Sequence, residues 1–142
     1  MNRTMHKLND THVIPDKIHK MKVKNCTQVL SRTVSAALEF ASMYPTYPDG
    51  KPKSESLKNT SEVVSFLDEL FDSTNGASLS KKETRGKRLR RAVTNTSAHH
   101  QFWRDAVKKM ETIKYVHEGR GEVSVPSLKN YIVTLKSFMR LW

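Results

Sequence analysis

The sequence predicts an all-α domain of four main helices joined by long polar loops. Apolar residues recur at three- and four-residue spacing in four separate runs. Stretches rich in Pro, Gly and charge separate those runs. No stretch alternates apolar and polar residues convincingly enough to make a strand. A chain of 142 residues suits one domain with a real hydrophobic core, so 1–142 is taken as a single unit. Its flexible parts are expected to be an N-terminal arm over 1–16 and loops over 43–58 and 76–95.

The arm is polar, with Pro15 at a turn or a first helical position, and Lys7–Ile14 reads as a docking segment. The first helix is expected over Lys17–Ser42, on Met21, Val23, Cys26, Val29, Leu30, Val34, Ala37 and Leu38, with a break near Lys22–Lys24. Its small residues Ser31, Thr33, Ser35, Ala36 and Ala37 permit close approach by another helix or a ligand. Three prolines and a Pro48-Asp49-Gly50 turn signal end it.

The second helix is expected over 59–75, opened by a capping box of Asn59 and Glu62 and carried by Val63, Val64, Phe66, Leu67, Leu70 and Phe71. It stops at Asn75-Gly76, two residues that tolerate a left-handed C-cap. The third helix is expected over 97–111, with Phe102, Trp103, Ala106, Val107 and Met110 inward. Ile113–Val116 is short and apolar, and Glu118–Glu122 reads as a turn. Pro126 starts the last helix, 126–142, on Leu128, Tyr131, Ile132, Leu135, Phe138, Met139 and Trp142. Because that run stays apolar to its final residue, the chain looks cut, with a partner surface beyond Trp142. Val29, Leu30, Leu67, Leu70, Trp103, Leu135 and Phe138 are the expected core.

Net charge is +11 and the isoelectric point is near 9.9, which favours polyanionic partners. The excess is densest over Ala77–Arg91, where Lys81, Lys82, Arg85, Lys87, Arg88, Arg90 and Arg91 face Glu83 alone. That run reads as a nucleic-acid-contacting segment or nuclear import signal, or else as a solvated loop. Cys26 stands alone, so neither a disulfide framework nor a Cys-rich zinc site is available. Its place in an apolar pattern predicts a buried, inert thiol in an intracellular protein. Met1–His6 lacks the apolar core of a signal peptide, and no run approaches membrane-spanning length, so a soluble protein is expected.

The stretch richest in chemistry is Phe71-Asp72-Ser73-Thr74-Asn75-Gly76. An aromatic face, a two-oxygen acceptor and a carboxamide within five positions can hold a planar base. Guanine offers N1–H and its exocyclic amine to one carboxylate. The same residues also describe an ordinary helix end, with Phe71 in the core and Asp72 solvated. Catalytic signatures are absent: there is no phosphate-binding loop, glycine-rich dinucleotide fingerprint, nucleophile elbow or zinc helix. His99 and His100 are adjacent and share no helix face, which disfavours metal binding. The chain reads as a non-enzyme.

Four blocks in order carry a family resemblance. They are Lys7-Leu8 with Thr11-His12-Val13; Met21–Lys24 running into Thr27–Ala37; Phe66–Asn75; and Val125–Asn130. With these blocks the sequence resembles the GTP-binding insertion domain of P-element-type DNA transposases, a group whose members often carry an N-terminal THAP zinc finger. The resemblance implies a helical domain cut out of an RNase H-like catalytic domain, which would be its partner within the parent protein. It implies GTP, with or without Mg2+, as a cofactor for assembly on transposon DNA in the nucleus, with any oligomer formed through the parent. By motif match Asp72 would read the guanine edge, Phe71 would flank the base and Asn75 would contact the nucleotide. Lys7, Val23, Lys24 and Ser31 match positions near the ligand. An enlarged Tyr44–Lys53 loop, and a chain ending before the family's catalytic glutamate segment, depart from the pattern. The alternatives are a helical interaction module, or a basic nucleic-acid-binding fragment of a degenerate element that no longer binds GTP.

Overall fold

The computed structural model describes residues 5, 8–19, 22–76 and 86–142. The order of elements is α1 (Asp10–Val13), a 3-10 turn (Pro15–Lys17), α2 (Val23–Val29), α3 (Arg32–Ser42), α4 (Ser56–Thr74), α5 (His99–Thr112), β1 (Tyr115–His117), β2 (Gly121–Val123) and α6 (Pro126–Leu141). The protein is thus mostly helical, as its periodicity predicts, with one small hairpin added. It divides into two compact units, Met1–Asp72 and Ser73–Trp142.

In the first unit, the segment expected to be irregular contains α1. Asn9 Oδ1 accepts from the Thr11 amide at 3.0 Å, and His12 Nδ1 lies 3.1 Å from the Asn9 amide, closing a capping box. The same imidazole reaches α2, with Nε2 3.1 Å from Gln28 Oε1. The buried Asn25 amide donates to the Thr11 carbonyl at 3.4 Å. These bonds clasp α1 against α2.

The single helix expected over 17–42 is instead a 3-10 turn and two helices: the break expected near Lys22–Lys24 is present, with α2 starting at Val23, and a second, unexpected break falls at Leu30-Ser31. Ser31 is extended (φ −130°, ψ 151°), and its Oγ accepts from the Val34 amide at 3.4 Å. A serine that caps the next helix cannot also continue the previous one. Cys26 is exposed, not buried as expected, because its neighbour Asn25 is the residue that α2 buries.

The Pro-rich loop closes on itself. Thr46 pairs with Pro52, and Gly50 adopts φ +81° in the turn that starts at Tyr47. The Lys53 ammonium lies 5.6 and 5.3 Å from the ring centres of Tyr44 and Tyr47 and donates to the Ala41 carbonyl at 3.0 Å. A cation therefore meets the carbonyl end of α3, where the helix dipole favours it.

α4 begins at Ser56, three residues before the expected Asn59, and Ser54 Oγ accepts from the Ser56 amide at 3.2 Å. Asn59 and Glu62 are helix-interior positions, so the predicted capping box does not form. α3 and α4 meet through small residues. Ser35 Oγ donates to the Ser61 carbonyl at 3.0 Å, and Ser61 Oγ donates to the Ser35 carbonyl at 2.9 Å. Both serines are buried, with Val34, Val64 and Leu70 as the buried apolar members of this unit. Val29, Leu30 and Leu67, expected in the core, are half-buried.

In the second unit, Trp103 is the centre, with 1% of its surface exposed. Its ring lies 5.6 Å from those of His99 and Phe138 and 5.8 Å from that of His100, and its Nε1–H donates to Ser73 Oγ at 3.2 Å. Leu135, Leu89, Ala106, Val107 and Met110 complete the buried set, with Phe138 half-buried. Thr74 and Tyr131 join hydroxyls at 2.7 Å. Leu89 was not legible as core, because it sits inside the run Lys87-Arg88-Leu89-Arg90-Arg91 and only the charges stand out there.

The helix expected from 97 starts at His99, and its two histidines hold the preceding segment. His99 Nε2 lies 2.7 Å from the Leu89 carbonyl, and His100 Nε2 lies 2.8 Å from the Thr94 carbonyl. A carbonyl can only accept, so each Nε2 carries its proton. His99 Nδ1 lies 2.9 Å from the Ser97 hydroxyl, which also donates to the Thr94 carbonyl at 3.0 Å. Ile113–Val116 and the following turn form a hairpin, pairing Tyr115 with Val123 and His117 with Gly121. The sequence hides it because all but one of its strand residues are exposed, leaving no inward face to alternate. Gly119 (φ +78°) turns it. The left-handed cap expected at Asn75-Gly76 is absent, since neither residue has positive φ, although the helix does stop at Thr74.

Two stability measurements follow from these bonds. Ser61→Ala removes one of two reciprocal hydrogen bonds and should cost about 1 kcal/mol, whereas Ser61→Leu overpacks the crossing and should cost about 2 kcal/mol or more. Urea unfolding monitored by helical circular dichroism measures both.

The second concerns pH. Burial holds His99 below the ordinary imidazole value of 6.5, opposed by its bond to Leu89 and aided by the Arg91 and His100 charges. The folded protein therefore binds fewer protons at this site than the unfolded chain. The resulting stability is fully present above about pH 6.5 and is lost as pH falls below it. His99→Gln should lower stability at pH 7.5 and flatten the decline between pH 6.5 and 5. Thermal melts of both proteins across that range measure the difference in slope.

Candidate nucleotide site

The last turns of α4 place two carboxylates on the buried side of the helix. Ser61, Val64, Asp68 and Asp72 recur at three- and four-residue spacing, and all four are buried, with Asp68 9% and Asp72 6% exposed. Burying a carboxylate removes strong hydration, and the C-terminal end of a helix adds an unfavourable dipole. Such groups persist only where cations or hydrogen-bond donors meet them. Asp68 and Asp72 both interact with other groups of the protein. Asp68 was missed in the sequence, although it stands four residues before Asp72 on one helix face; that spacing was the available signal.

Phe71 precedes Asp72 by 100° of helix rotation and is 39% exposed. It is therefore the outward member of the pair, not the core residue of the ordinary helix-end reading, and Asp72 is not solvated. Asn75 is the first residue beyond α4 and is exposed. The stretch thus presents a ring and a carboxamide to solvent and turns the carboxylate inward.

The remaining residues matched by motif occupy two places in the first unit. Val23 and Lys24 open α2 and are exposed. Ser31 is buried at the α2–α3 junction, where its hydroxyl donates to the Gln28 carbonyl at 2.9 Å while capping α3. Lys7 lies outside the described residues. An open pocket of about 320 Å³ lies between α1 and α2, lined by His12, His19, Lys22, Asn25, Cys26 and Leu30 among others. Val23, Lys24 and Ser31 do not line it.

Of the basic run, Lys81, Lys82 and Arg85 lie outside the described residues. Lys87, Arg90 and Arg91 are half-buried and Arg88 is exposed, around a Leu89 that is 1% exposed. The Arg90 amide donates to the Lys87 carbonyl at 3.1 Å, which makes this part an anchored turn. The second unit also holds an open groove of about 450 Å³ where the end of α5, β2 and the start of α6 meet, floored by Met110, Ile113, Leu128 and Ile132. Among the described residues, no three His, Cys, Asp or Glu side chains gather as a metal site, and no helix is long and apolar enough to cross a membrane.

A mostly helical protein with buried carboxylates closing its longest helix, and a strong basic excess, belongs to the class of helical binding modules. The family described as the TNP-like, GTP-binding insertion domain matches residues 2–89, more than half of the chain. The chain belongs to this family of transposase-type insertion domains. The match includes Phe66–Asn75 and the first two sequence blocks, and it ends before Val125–Asn130. No curated protein and no solved structure matches the chain significantly.

Proposed function

We propose that this chain is the GTP-binding insertion module of a P-element-type DNA transposase. It would serve GTP-dependent assembly on transposon DNA in the nucleus and contribute no catalytic step itself. Its partner within the parent protein would be an RNase H-like catalytic domain, with 1–142 acting as one functional insertion. The observation that carries this is the family match, because it contains Phe71–Asn75, where an aromatic, an acid and a carboxamide fall within five positions.

The donor set suits a guanine nucleotide. By motif match Asp72 would accept from guanine N1–H and the exocyclic amine; its carboxylate is turned inward and already engaged with the protein, so a nucleotide would take over from those partners. Phe71 offers its exposed ring to the base plane, and Asn75 a carboxamide to another edge. Val23 is an exposed apolar contact, while Lys24, and Lys7 in the arm, bring positive charge for phosphates. Ser31 would act by holding the α2–α3 junction beside these residues in sequence. Mg2+, where present, would be carried by the nucleotide phosphates, since no protein site for it gathers among the described residues. The basic run Lys81, Lys82, Arg85, Lys87, Arg88, Arg90 and Arg91 would contact DNA phosphates and is favourable for nuclear import. A fragment that has lost GTP binding and keeps only nucleic-acid binding is the second reading, favoured by the charge of this run.

Base reading by Asp72 has a specific test. Asp72→Asn places a donor where an acceptor is needed, and leaving such a group unpaired costs roughly 1–3 kcal/mol. GTP affinity should fall about tenfold or more, while XTP, whose carbonyl replaces the amine, should gain relative to GTP. Titration of both nucleotides against wild type and variant, with ATP as control and folding checked by circular dichroism, measures this. Loss of GTP with no relative gain for XTP would refute base reading. A wild type that binds no nucleotide would favour the second reading.

The basic run is tested separately. Replacing Lys87, Arg88, Arg90 and Arg91 by Ala should weaken DNA binding similarly for unrelated sequences and flatten the salt dependence by about one slope unit per lost contact. An unchanged slope would mean that the turn does not touch phosphates.

A further inference from the structure

Positive charge is divided unequally between the two units. Residues 73–142 carry fifteen Lys or Arg against five Asp or Glu, so ten of the eleven excess charges lie in the second unit. Within that unit, α6 contains Lys129, Lys136 and Arg140 and no carboxylate. These three are exposed and recur with the exposed Val133 at helical spacing, which places them on one outward stripe. The opposite face is occupied: Leu135 is fully buried and Phe138 packs on Trp103.

The described part of the basic run is held at the end of α5 that also receives Phe138 of α6. His99, in the first turn of α5, bonds the Leu89 carbonyl, and Trp103, one turn further on, receives Phe138 of α6. Lys136 is paired with Glu111 at 2.9 Å, an exposed ion pair of the kind a phosphate can replace.

We infer that the outward stripe Lys129–Lys136–Arg140 of α6 is a phosphate-binding face for double-stranded DNA. The inference rests on the DNA-associated reading above and adds a second contact surface, beyond the residues matched by the family. On a rise of 1.5 Å per residue the stripe spans about 16 Å, roughly half a turn of duplex. It carries no aromatic side chain, so it lacks the stacking platform that single strands use. The inward apolar residues Leu135 and Phe138 are taken up by the core, while Val133, Leu141 and Trp142 stay exposed, so a vesicle surface is the competing occupant that the test below includes. Contacts of this type position a duplex without reading its sequence.

The test uses the full 142-residue chain without nucleotide. Fluorescence anisotropy is measured with two unrelated DNA duplexes, one single strand and vesicles of phosphatidylserine and phosphatidylcholine, over a salt series. For the Lys129→Ala/Lys136→Ala/Arg140→Ala variant, affinity for both duplexes should fall about tenfold or more, and the salt slope should drop by about two to three units. Helical circular dichroism should be unchanged, as befits exposed positions. Charge reversal to Glu at the same three sites should deepen the loss. An unchanged affinity and slope would overturn the proposal, as would a preference of wild type for the single strand, or binding to vesicles but not to duplex. GTP titration of the same variant keeps the two ideas apart. Normal GTP binding with weakened duplex binding supports this face, while a wild type that binds duplex but no GTP removes the nucleotide reading and leaves this one standing.

Discussion

The second unit depends on giving one indole a place to bury its ring and satisfy its N–H. Trp103 is almost wholly enclosed, and a buried indole without an acceptor would forfeit a hydrogen bond that water would have supplied. Ser73 provides the acceptor, and the ring then organises His99, His100 and Phe138 around it. His99 in turn holds the Leu89 carbonyl, so a turn crowded with arginines is anchored to the core by one neutral imidazole. The low proton affinity of His99 is a consequence of the same burial. Fold and protonation state are coupled at this point.

The first unit solves a different problem, the close packing of short helices with little apolar bulk. Serines do the work that Leu and Val do elsewhere. Ser35 and Ser61 exchange hydrogen bonds with each other's carbonyls, which lets two backbones approach while their hydroxyls remain satisfied. The same inward stripe of α4 goes on to bury Asp68 and Asp72. A polar stripe of this kind contributes little to stability for its area.

Charge distinguishes the two units in chemistry. Residues 1–72 are nearly balanced, ten Lys or Arg against nine Asp or Glu, while residues 73–142 hold almost all of the excess. A balanced unit can offer carboxylates to the donor edge of a base without a strong opposing field. A basic unit attracts phosphates over a distance set by ionic strength.

Local sequence determined most of the helices here, because three- and four-residue recurrence of apolar side chains specifies a helix whatever surrounds it. The runs at α4, α5 and α6 are legible for that reason, as are the helix stop at Asn75 and the family likeness around Phe71 and Asp72. Boundaries were less legible where a short side chain could serve either of two backbones. Ser31 ends one helix by capping the next, and Ser54 starts α4 before the Asn59 box that local pattern favours. Burial was decided only by the tertiary structure. Leu89 is invisible among arginines until His99 draws its carbonyl inward, Cys26 is exposed because α2 buries its neighbour Asn25, and the exposed hairpin has no inward face for a pattern to record. Asp68 and Asp72 look like ordinary surface acids in the sequence, and only the packing of α4 turns them inward, because burial is a property of what lies opposite a residue and not of the residue itself.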